Sequence, residues 1–229
     1  MMVKRVVISL GGFYFDDAAR IKRIAAALDE LAESSSRGLG LYVVTGGGVL
    51  ARQCISIARE LGANEAVCDY IGIAITRVNA RLLISALRNA YPEPFYDYDE
   101  VAAARTAEDG RIAVMGGVTP GYTTDAVSAL LAEYINADLL LNVTTVDGVY
   151  EADPRKYPGA RKYDRITPGE LVRLTAREEL KAGSRIIIDP FAAKIIERSR
   201  IRTIVLDGSN PRDIIDAVVH GRHHGTEIG

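Results

Sequence analysis

Three glycine clusters, an aspartate and an arginine carry the chemistry legible in this chain. Gly11-Gly12, Gly46-Gly47-Gly48 and Gly116-Gly117 each follow an apolar run short enough for a buried strand. A strand that ends in glycines and hands over to a helix presents backbone N–H groups and the positive end of a helix dipole, which suits phosphate. An ordinary strand–helix connection has the same spacing, and it is the recurrence of the corner that favours phosphate. Arg52 follows the second cluster by about one helical turn, so its guanidinium could fork onto phosphate oxygens; a solvated surface arginine is the alternative. The third corner continues through Val118, Thr119, Pro120, Gly121, Tyr122, Thr123 and Thr124 to Asp125, with either threonine suited to cap a helix. Asp69 reads as a helix cap or as a ligand group, two roles that can coexist, and Tyr150, inside a polar loop, as a residue that stacks on or caps something.

Other chemistries lack their residues. The first corner, Gly11-Gly12-Phe13, fails the G-x-G-x-x-G dinucleotide fingerprint, and G-x-x-x-x-G-K-[ST], H-E-x-x-H and G-x-S-x-G are absent. The histidines, His220, His223 and His224, sit in the tail, which argues against histidine catalysis. Cys54 and Cys68 match no metal spacing and read as reduced packing thiols of a cytoplasmic protein. A net charge of −2 gives no reason to expect nucleic acid or an anionic membrane as partner. No apolar run approaches the roughly 18–20 residues of a spanning helix, and the N-terminus does not read as a signal peptide.

The elements that must position these residues alternate. Strands are expected at 3–9, 41–45, 111–115, 138–143 and 202–206, and helices at about 16–34, 50–61, 69–89, 99–108, 124–135 and 211–219. Two more helices start at Thr167-Pro168-Gly169-Glu170 and after Asp189-Pro190, where a capping residue precedes proline. Residues 146–158 look like a loop or hairpin laid over a site, and the last residues like an edge strand. The alternation predicts an α/β fold, parallel pairing with helices on both faces, in one domain with a lid-like second half.

Taken together, Gly11-Gly12, Gly46-Gly47-Gly48 with Arg52, Asp69-Tyr70-Ile71-Gly72, the Gly116–Asp125 segment, Thr144 to Tyr150 with Asp153-Pro154, and Asp189-Pro190 with Ala193-Lys194-Ile195 closely resemble the amino-acid-kinase superfamily, and within it archaeal-type uridylate kinases. The resemblance covers essentially the whole chain. It implies a three-layer αβα sandwich with a largely parallel central sheet, residues 1–229 forming one domain, with an acceptor half of about residues 1–140 and an ATP half of about 141–229. It implies transfer of the γ-phosphoryl group of ATP to UMP with Mg²⁺, in pyrimidine nucleotide synthesis, by a homohexamer. Gly11, Gly12, Gly48 and Arg52 would face the ATP phosphates, and Thr144, Thr145, Tyr150 and Asp153 the adenosine. Gly47, Asp69 and the stretch Val118, Thr119, Pro120, Gly121, Tyr122, Thr123 and Thr124 would hold UMP. Asp125 and Arg52 would be the catalytic pair, Asp125 orienting the catalytic cations; metal ligands are not implied. Ser9 stands where many relatives carry a lysine, so Lys181 or Arg185 is expected to supply the missing charge; Thr145 replaces a usual asparagine. Kinases of acetylglutamate, carbamate or isopentenyl phosphate, and molybdate or tungstate storage proteins, are the alternatives on this fold.

Overall fold

Val6, Ile8 and Leu10 point to one side of the first strand and Val7 to the other, and all four are buried. A strand apolar on both faces belongs in a sheet covered on both sides. The computed structural model, which describes residues 5–34, 38–152, 154, 156–179 and 188–229, has that form. Its strands are β1 (Arg5–Leu10), β2 (Gly40–Thr45), β3 (Ala113–Met115), β4 (Leu139–Thr144), β5 (Arg165–Ile166), β6 (Thr203–Asp207) and β7 (Thr226–Ile228). They form one sheet in the order β3-β2-β1-β4-β6-β7-β5. The first five in that order run parallel; β7 and β5 are parallel to each other and run the opposite way.

On one face α1 (Ala18–Ser34), α3 (Glu65–Ala86) and α9 (Arg212–Ile215) share a core with Val6, Ile8, Leu41 and Val43. On the other, α6 (Thr124–Tyr134), α7 (Pro168–Glu179) and α8 (Pro190–Ser199) pack on Val7, Val44, Leu140 and Val205. The helix α2 (Gly48–Glu60) lies against α3. The three-layer αβα architecture expected from the sequence is therefore present. Thr167 and Glu170 form the expected reciprocal cap, Thr167 N–H donating to Glu170 Oε2 at 2.7 Å and Glu170 N–H to Thr167 Oγ1 at 3.2 Å.

Several expected boundaries move. The helix expected at 99–108 is two, α4 (Tyr98–Ala102) and α5 (Thr106–Asp109). Between them the Arg105 N–H donates to the Tyr91 hydroxyl at 2.9 Å, so the backbone donor that would continue the first helix is captured by a distant side chain. The long helix starts at Glu65, capped by Asn64, whose side chain accepts from Val67 N–H; Asp69 is therefore inside the helix and is not its cap. Gly12–Asp16 is an unforeseen 3₁₀ turn, and the expected 211–219 helix is only α9 followed by a π turn at Asp216–His220. The C-terminal strand is not the edge. It sits between β6 and β5, with Glu227 paired to Arg202 on one side (2.7 Å) and to Arg165 on the other (3.6 Å). At two residues, β5 is too short to carry a period-two signal.

Candidate active site

Because β1, β2, β3 and β4 run parallel and in register, Leu10, Thr45, Met115 and Val143 deliver the chain to one edge of the sheet. Ligands of open parallel sheets bind beyond that carboxyl edge. The first two glycine corners meet there, backbone to backbone. Gly46 N–H donates to Leu10 C=O at 2.9 Å. A Cβ on Gly12 would fall 1.9 Å from the Gly48 nitrogen, and Gly48, at φ +69°, lies where side chains are rarely tolerated. Gly48 opens α2, so the N–H groups of Gly48, Val49 and Leu50 have no acceptor within the helix and lie at its positive end. Arg52, four residues on, is exposed on the same helix. Gly11 differs: its N–H is already bonded to Val143 C=O at 3.0 Å.

A short stretch of α3 holds the second and third corners together. Thr45 Oγ1 donates to Thr76 C=O (2.8 Å), Thr76 Oγ1 accepts from Gly117 N–H (2.7 Å), and Asn79 Nδ2 donates to Gly46 C=O (2.7 Å). Arg77 Nε donates to Gly117 C=O at 3.1 Å, its guanidinium lying 4.8 Å from the centre of the Tyr96 ring. The sequence reading missed Thr76, Arg77 and Asn79. Their signal was polar residues on the buried side of a helix, Thr76 and Asn79 being 5% and 2% exposed.

The 118–125 segment follows. Val118 packs on the core, Thr119 is exposed, Pro120 half-buried, and Gly121 N–H donates to Asp69 Oδ2 at 2.8 Å, so the expected ligand Asp69 touches the expected acceptor segment. The exposed Tyr122 stacks on Phe191 with ring centres 5.1 Å apart. Thr123 caps α6, accepting from Ala126 N–H at 3.1 Å, while Thr124 is the first helical residue.

Asp125 is in the first turn of α6, and its Oδ1 accepts from Ser9 Oγ (3.1 Å) and Asn142 Nδ2 (3.0 Å). Ser9 and Asn142 face each other across β1 and β4. Burial and the nearby Asp189 push the Asp125 carboxyl up to about 6, against the lowering effect of those two hydrogen bonds. Ser9 is thus a partner of Asp125. Asn142 was missed, although a lone polar residue inside Leu-Leu-Leu-Asn-Val was a readable signal, and Asp189 was expected only as the cap of α8, which it is.

At the end of β4, Thr144 is half-buried, and its C=O accepts from the Tyr14 hydroxyl (2.9 Å) and Gly208 N–H (3.1 Å). Thr145 is exposed. The Tyr150 hydroxyl donates to Asp147 Oδ1 at 2.7 Å, and Lys162 binds the other oxygen of Asp147 at 3.1 Å. Tyr150 therefore caps a neighbour, one of the two roles expected of it. Asp153, Lys181 and Arg185 lie outside the described residues.

The model of the amino acid kinase family matches residues 4–207. The chain belongs to the amino acid kinase family. A protein named uridylate kinase from Methanococcoides burtonii is 51% identical over 218 residues, covering 93% of this chain and 91% of its own. Another of that name from Halobacterium salinarum is 50% identical, covering 98% and 92%. The crystal structure of uridylate kinase from Archaeoglobus fulgidus superposes with a TM-score of 0.85 at 47% identity, over 98% of this chain and 99% of the other. The Bacillus anthracis UMP kinase structure, at 24% identity and a TM-score of 0.82, shares the fold. Among the described residues no helix is long and apolar enough to cross a membrane, and Cys54 and Cys68 are free thiols.

Proposed function

We infer that this enzyme transfers the γ-phosphoryl group of ATP to the phosphate of UMP, giving UDP and ADP. The observation that carries the reading is near-full-length identity of about half to proteins named uridylate kinase. The carboxyl edge of the sheet supports it, with two glycine corners and an open helix N-terminus on one side and the Gly116–Asp125 segment on the other.

In the proposed reaction an oxygen of the UMP phosphate attacks the γ-phosphorus as the bond to the β-phosphate bridging oxygen breaks. The acceptor oxygen is already anionic, so no strong general base is needed; the site's work is alignment and charge compensation. The free N–H groups at the start of α2 and the Arg52 guanidinium suit the donor phosphates, with Gly11, Gly12 and Gly48 allowing close approach. Thr144, Thr145, Tyr150 and Asp153 are proposed for the adenosine, and Gly47, Asp69 and residues 118–124 for UMP. Asp125, held by Ser9 and Asn142, orients the positive groups that meet the transferring phosphoryl group. Magnesium would neutralise phosphate charge when bound. Among the described residues no three carboxylate, histidine or cysteine groups form a metal cluster, and an ion held chiefly by nucleotide phosphates and water needs none. The enzyme is proposed to act in pyrimidine nucleotide synthesis in the cytoplasm, as a single domain assembled into homohexamers.

The test is ATP consumption with magnesium against UMP, CMP, dUMP, N-acetylglutamate, carbamate and isopentenyl phosphate. Turnover confined to uridine monophosphates is expected, with Arg52→Ala reducing kcat/KM by about 100-fold or more. Preference for a non-nucleotide acceptor would overturn the reading, and bound ATP with no turnover on any acceptor would favour oxyanion storage.

A further inference from the structure

Asp189 lies in the half of the chain assigned to ATP, yet one of its two oxygens reaches the acceptor side. Oδ1 caps α8, accepting from Phe191 N–H (2.9 Å) and Ala192 N–H (3.0 Å). Oδ2 accepts from the Thr123 hydroxyl. Thr123 is itself the cap of α6, so one hydroxyl ties the start of α8 to the start of the helix that carries Asp125. A second contact runs beside the first: Tyr122 and Phe191, each next to or near these capping residues, stack with planes only 6° apart.

We propose that Asp189 is a positioning residue: with Phe191 it latches Tyr122 and Thr123 onto the N-terminus of α8, and so fixes the acceptor segment and the place of Asp125. The proposal rests on the kinase reading above, in which that segment wraps the acceptor. Two helix caps sharing one hydrogen bond cannot shift independently, because moving either helix leaves a carboxylate oxygen or first-turn N–H groups unpaired. A substrate that orders the acceptor segment is thereby felt at α8, and the reverse. Among the described residues Asp189 is also the charged group acting on Asp125; the other groups acting on it are the uncharged Ser9 from β1 and Asn142 from β4. Of the two cations on α8, Lys194 is turned to Glu197 at 3.1 Å and Arg198 to Glu133, so neither faces Asp125.

Three variants separate this role from simple support of the fold. Asp189→Ser keeps a side-chain cap for α8 and withdraws the arm to Thr123. Asp189→Asn keeps the oxygen that caps α8, puts an N–H donor to the Thr123 hydroxyl where the second oxygen stood, and removes the charge. Thr123→Val removes the shared hydroxyl. We expect Asp189→Ser to raise KM for UMP and lower kcat, by between about 10- and 100-fold in kcat/KM, with KM for ATP little changed. Combining it with Thr123→Val should cost little more than the larger single effect. Asp189→Asn should move the acid limb of the kcat profile to lower pH, since a negative neighbour of Asp125 is gone. Unchanged kinetics in a folded Asp189→Ser protein, additive effects in the pair, or an unmoved acid limb in Asp189→Asn would each overturn the proposal. Amide hydrogen exchange over residues 117–126 reads the latch without any reaction. Faster exchange in Asp189→Ser is expected even if UMP proves not to be the acceptor, and unchanged exchange would count against the latch alone.

Discussion

Asp125 occupies an unfavourable place for a carboxylate, and the pH dependence of stability should reveal it. Its carboxyl titrates at about 6 instead of 3.8, because burial and Asp189 disfavour the charge more than Ser9 and Asn142 favour it. Well below pH 3.8 the group is neutral whether the chain is folded or not. As pH rises from there, the unfolded chain ionises first, so the folded state is penalised increasingly until about pH 6 and constantly above it. Asp125→Asn is therefore expected to be more stable than wild type at about pH 8, by up to about 3 kcal/mol, and to melt higher, with the gap closing towards pH 4. Activity should fall by about 100-fold or more. Thermal melts across that range measure the effect, and a gap that does not vary with pH would contradict the assignment. Ser9 gains a meaning at this scale too. In place of a long cation it offers a hydroxyl that holds Asp125, so positive charge at the transferring group must come from elsewhere, Arg52 being the exposed candidate on α2.

Among the elements, α3 does more than cover the sheet. Its Thr76, Arg77 and Asn79 bind backbone groups of the corners that follow β2 and β3, so both corners, proposed for donor and acceptor, are set from one helix. Thr76→Val preserves shape and removes the acceptor for the buried Gly117 N–H, which should cost about 1–3 kcal/mol of stability. We expect KM for UMP to rise while KM for ATP stays near wild type. An equal rise in both would mean that α3 acts only through global stability. Gly12, by contrast, belongs to the corner proposed for the donor phosphates. The Cβ of Gly12→Ala would drive apart the backbones of the first two corners, where no flexible side chain can give way.

In the whole molecule, one sheet passes through both proposed halves, and the two are also joined by the Asp189–Thr123 contact. Exposed apolar side chains, Val67, Tyr70, Val78 and Leu82 on α3 with Ile57 on α2, remain on the outer surface of the chain. A row of this kind suits contact between subunits better than water. The proposed homohexamer should appear in sedimentation velocity at a mass six times that of the 24.8 kDa chain. Val78→Glu with Leu82→Glu should yield smaller species. A wild-type chain sedimenting as a monomer would remove the assembly from the proposal.

The sequence by itself determined the layer order and the family, and it marked the glycine corners and the 116–125 segment. Those depend on local signals: apolar runs, glycines at strand ends, Pro168 behind Thr167 and Pro190 behind Asp189, and a motif order spread over the chain. It also singled out Asp125, Asp69 and Arg52, though not what each touches. Only the tertiary structure decided that Asp69 meets Gly121, that Ser9 and Asn142 bracket Asp125, and that the last strand lies between β6 and β5. The same holds for the helix broken at Arg105, where a tyrosine hydroxyl from fourteen residues away takes the backbone donor. Each of these is a pairing between residues distant along the chain. Local propensity describes what a segment prefers alone, whereas such pairings depend on which partner the folded sheet brings within reach.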